Sequence, residues 1–135
     1  MAAGTESGDE TLDDFRRAVR SLRSRRPGEG ITVEETDAPK RIAPHAFALL
    51  GEAERASGPA ATGRLILLHD PQGHEAWNGT FRLVAFLSVD LDAESAADPL
   101  LADMAWSWLI GSLNAASADH SGCGGTVTCT SSVKF

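Results

Sequence analysis

His69, Asp70, His74 and Glu75 lie close together along the chain and carry the side chains most able to do chemistry. Two imidazoles and a carboxylate form a donor set suited to zinc. The same types serve general acid–base catalysis. Their spacing argues against both uses. On an extended strand His69 and Asp70 point to opposite sides. Asp70 is also claimed by a turn in Asp70-Pro71-Gln72-Gly73. There the carboxylate bonds the backbone two residues on, Pro71 presets φ, and Gly73 suits the last position. That leaves His74 and Glu75 at a tip, with Trp77 beside them and a second turn signal at Asn78-Gly79. The expected candidate surface is therefore His74, Glu75 and Trp77. Neither a metal-ligand set nor a cofactor motif is expected.

The loop Ala115–Gly125 gathers Asp119, His120, Ser121 and Cys123. Nothing in so short a loop holds a base against a nucleophile. Its glycines precede a strand pattern, whereas a phosphate cradle needs a following helix N-terminus. The two cysteines, Cys123 and Cys129, form neither a CxxC pair nor a disulfide framework, and are read as buried, reduced thiols.

A third cluster is basic. Six of the twelve Lys and Arg residues fall between Arg16 and Arg26, so the rest of the chain carries six basic and nineteen acidic groups, a net of −13. Arg16, Arg20, Arg23 and Arg26 form a candidate ridge for an acidic protein or an RNA backbone. The plainer reading is the solvated face of an amphipathic helix. The overall charge of −7 argues against general nucleic-acid or anionic-membrane binding.

These residues must be positioned by regular elements. Residues 1–9 are small, polar and acidic, and are expected to be disordered. A helix follows over Thr11–Ser24, with an apolar stripe of Leu12, Phe15, Val19 and Leu22. Asp13 and Arg17, four apart, are expected to pair across one turn. Ile31–Glu35 alternates as a short strand. Pro44 suits a first helical turn, so His45–Arg55 reads as a second helix. Leu65–Leu68 is a short aliphatic run, read as a buried strand. Thr80–Leu91 returns with Phe81, Leu83, Ala85, Leu87, Val89 and Leu91 on one face, expected to be core. Asp98-Pro99 opens a helix to Asn114 that carries Trp106 and Trp108 into a core. Thr126–Phe135 alternates as a last strand. Its apolar end leads to the expectation that a further strand follows Phe135 and that the chain is C-terminally truncated.

The order is α-β-α-β-β-α-β. It predicts an α+β fold, an antiparallel sheet of about four strands with helices on one face, in a single domain over residues 10–135. The first residues lack the basic and apolar regions of a signal peptide, and no apolar run is long enough to span a bilayer. The expected compartment is the cytoplasm.

The segments LILLHDPQGHEAWNGTFRLV, ADPLLADMAWSWL and GGTVT, with FRRAV near the start, resemble domain-of-unknown-function family 3000. The likeness runs from about Leu12 to Val133. It implies a cytosolic protein of high-GC Gram-positive bacteria, often encoded beside a ribonuclease D-like exonuclease. It assigns no reaction, ligand or functional residue. Three functions follow as expectations. The first is a non-catalytic protein-interaction or accessory module, using the tip, the basic helix or an open sheet edge. The second is an RNA-associated accessory protein using Arg16, Arg20, Arg23 and Arg26. The third is a small enzyme working at His69–Glu75.

Overall fold

The computed structural model describes residues 3–55 and 58–135, with side chains from Leu12 to Glu54 and from Ala60 onward. Helix α1 spans Ala3–Ser24. Four strands follow: β1 (Ile31–Thr36), β2 (His45–Arg55), β3 (Gly58–His74) and β4 (Gly79–Val89). Helices α2 (Ala93–Ala96) and α3 (Leu101–Ala115) come last. The fold is α+β, with one open antiparallel sheet in the order β1-β2-β3-β4. Each strand pairs with the next in sequence, so β1 and β4 are the two edges.

Helix α1 reaches back to Ala3, beyond the start expected at Thr11, and the first two residues of the expected disordered lead lie outside the described residues. Two other segments differ from expectation. His45–Arg55 is a strand, not a helix. It pairs on both sides, with β1 and β3, and its backbone groups are met by the two ladders. Residues 126–135 form no strand; alternation alone supplies no partner for the backbone.

Register defines the sheet faces. Phe47, Leu67 and Leu83 lie abreast across β2, β3 and β4, as do His45, His69 and Phe81. Helix α1 lies on this face. Val19, Phe47 and Leu67 form the buried cluster, with Phe15, Ala18, Leu22 and Leu49 packed around it. The predicted apolar stripe of α1 is thus the stripe that packs. On the opposite face Ala48 and Leu68 are buried.

Contacts divide the chain into two compact units, residues 1–90 and 91–135. In the second unit Asp92 caps α2, its Oδ1 accepting from the Ser95 amide at 2.6 Å. Those hydrogen bonds, from the Ser95 backbone and then its hydroxyl, hold the Asp92 carboxyl below its ordinary range. Asp98 does not cap α3: it accepts from Leu100 N at 2.9 Å, and α3 begins at Leu101. The tryptophans are not equally buried. Trp106 is half-buried, with Gly125 so close that a Cβ there would lie 3.1 Å from its ring. Trp108 is 63% exposed, against the expected core position. Cys123 and Cys129 are free thiols, and both are exposed rather than buried.

Candidate functional site

The tip begins where β3 becomes irregular. The chain does not reverse at Asp70–Gly73 as expected. Asp70 Oδ1 does accept from Gln72 N, at 3.0 Å, but the segment remains in β3 and the register with β4 shifts between His69 and His74. The reversal comes later, through a single 3-10 turn at Glu75–Trp77 and Asn78 in the left-handed region at φ 50°. His74 caps that turn, its Nδ1 accepting from Ala76 N at 3.2 Å. Its ring stacks on Trp77, with centroids 4.7 Å apart and planes 14° apart. The three tip residues are therefore adjacent, with His74 and Glu75 exposed and Trp77 half-buried.

His69 belongs elsewhere. It is 1% exposed, on the α1 side of the sheet. Its Nδ1 lies 3.0 Å from the Thr80 carbonyl oxygen, which can only accept, so Nδ1 carries the proton. Its ring stacks on Phe81 at 4.1 Å and on Phe15 at 5.9 Å, and the His45 ring lies 5.9 Å away. Among the described residues no group of three or more His, Cys, Asp or Glu side chains could hold a metal ion.

The basic residues of α1 lie beside a shallow groove of about 450 Å³, lined by Phe15, Arg16, Val19, Arg20, Arg23 and Phe47 among others. Asp13 pairs with Arg16 at 3.8 Å, and Asp14 with Arg17 at 3.4 Å, so the pairs are three apart rather than four. Arg23 is held most firmly. Its Nε donates to Glu35 Oε1 and its Nη2 to Oε2 at 3.2 Å, while its guanidinium lies 5.3 Å over the Phe47 ring. The hydrogen bonds from Arg23 hold the Glu35 carboxyl below its ordinary range, and Glu35 raises Arg23 further. Arg20 makes no ion pair among the described residues, and Arg26 lies beyond the end of α1.

Period-2 counting places the apolar residues of β4 on one face, as found, but not in a core. Every residue from Phe81 to Val89 is exposed. On the α1 side Leu83 is 59% and Leu87 73% exposed; on the other side Phe86 is 70% exposed. Natural edge strands carry Lys, Pro or inward charges that discourage pairing. Phe81–Val89 has Arg82 as its sole charge and no proline. The signal available beforehand was Val84 and Phe86, which break the polar face of an otherwise alternating strand.

A four-stranded meander carrying one helix and an open apolar edge defines a small α+β protein. The chain belongs to the DUF3000 family of proteins of unknown function, whose family model matches residues 11–135. Comparison with curated proteins and with solved structures gives no match. No described helix is long and apolar enough to cross a membrane.

Proposed function

We propose that this chain is a non-catalytic interaction module that binds another polypeptide through the β4 edge. The observation that carries this reading is the exposure of apolar side chains on both faces of one edge strand. An incoming strand would take up the outward backbone groups of β4 and cover the flanks of its side chains. The basic helix supports a different partner less well. Arg16 and Arg23 already face carboxylates of the same chain, and an RNA backbone would have to displace them.

The test is a paired substitution, Leu83→Lys with Leu87→Lys. Both sites are exposed, so the fold should lose less than about 1 kcal/mol. Binding of polypeptide partners, measured by quantitative affinity capture against the parent, should fall at least tenfold. Undiminished binding by a folded variant would refute the reading.

A further inference from the structure

We propose that β4 pairs antiparallel with β4 of a second copy of this chain, about a two-fold axis at Phe86. This rests on β4 being the docking edge and names its occupant. The argument is self-complementarity. A two-fold interface sets one strand against its own reverse. With Phe86 on the axis, Arg82 of each strand falls opposite Asp90 of the other. Along the exposed stretch Phe81–Asp90 these are the sole charges, and they have opposite sign.

Arg82 and Asp90 make no ion pair among the described residues. Along extended backbone the step from position 82 to position 90 spans roughly 26 Å at about 3.3 Å per residue, too far for the two side chains to meet on one strand. Asp90 directly follows β4, and its amide donates to the Ala60 carbonyl at 3.4 Å, which holds it in line with the strand end. Pairing two strands resolves both charges at once, at each end of the contact.

The apolar residues fit the same register. On the α1 side Leu83 meets Val89, and Ala85 meets Leu87. On the other side the Phe86 rings meet at the axis, where cross-strand aromatic pairs are favourable. A shift of two residues one way sets Arg82 against Ser88. The opposite shift sets Asp90 against Val84 and Arg82 against Asp92, which lies past the end of β4 with its carboxylate already capping α2. Charge matching therefore selects the Phe86-centred register over both neighbours.

Sedimentation velocity on the full chain across a micromolar concentration series tests this. The parent should dimerise. Arg82→Asp places like charges opposite and should weaken the dimer roughly tenfold or more. Asp90→Arg should do the same. The double reversal Arg82→Asp with Asp90→Arg should recover the parent affinity to within about threefold, which also shows that the variants fold. A parent that stays monomeric throughout overturns the second-copy assignment. If the Leu83→Lys, Leu87→Lys variant has by then lost another polypeptide, the docking edge itself stands. A dimer unaffected by either reversal, or not restored by the double one, also overturns this register. If neither self-association nor capture depends on β4, both readings fall.

Discussion

At His69 a residue that invites a catalytic reading from its neighbours along the chain is a packing residue. It lies between the Phe15 and Phe81 rings and donates to the Thr80 carbonyl. His69→Ala would open a cavity and leave that carbonyl without its donor. Urea unfolding followed by circular dichroism should show a loss of about 2–4 kcal/mol. Glu75→Ala, at an exposed position, should stay within about 0.5 kcal/mol. Equal stability of the two variants would contradict the buried stack. Glu35 gives a pH-dependent counterpart. Its carboxyl titrates below the ordinary range because Arg23 donates to it. The folded state thus holds the carboxylate more tightly than the unfolded state does. That contribution is complete above the unfolded value, roughly pH 5 and higher, and disappears as pH falls through the lowered folded value. The stability gap between the parent and Glu35→Gln should be open near neutrality and close in acid. A gap independent of pH would mean that the ion pair does not form in solution.

Helix α1 and the sheet depend on one apolar contact, and Phe47 is its largest member. Phe47→Ala removes the ring under Arg23 as well as the packing against Val19 and Leu67. It should destabilise by about 3–5 kcal/mol, read from the denaturant midpoint at constant slope. The α1 stripe was legible in advance because one face of a helix repeats at Phe15, Val19 and Leu22. Strands β1 and β4 alternate and were legible for the same reason. Strand β2 was not. It runs between two neighbours, with Phe47 and Leu49 on one face and Ala48 and Leu50 on the other. A strand covered on both sides shows a continuous apolar run, and Ala, Leu and Glu give that run helical character. Pairing with β1 and β3 overrides that preference. The reversal at the tip was misplaced because Asp70, Pro71 and Gly73 are strong turn formers. They produce a local Asx hydrogen bond and a register shift, while Asn78 makes the actual turn. Exposure of β4 was beyond reach of the pattern. Period 2 says which residues share a face, but not whether anything covers it.

For the whole chain the organising fact is that the buried α1–sheet cluster lies entirely in residues 1–90. Phe15, Val19 and Leu22 come from α1, Phe47 and Leu49 from β2, and Leu67 from β3. All four strands also lie in that unit. A fragment of residues 1–90 therefore contains every backbone ladder of the sheet and every member of the cluster. It should unfold as one cooperative transition, and Val19→Ala reports whether the same core is present. Val19 is 7% exposed, so losing its methyl groups should cost about 2 kcal/mol through transfer and cavity terms. Sites and fragments that do not share partners should add, so the loss should agree between fragment and full chain within about 0.5 kcal/mol. Urea titrations of all four proteins measure this directly. A fragment that melts without cooperativity, or in which Val19→Ala costs nothing, would show that the sheet takes its order from residues beyond Asp90.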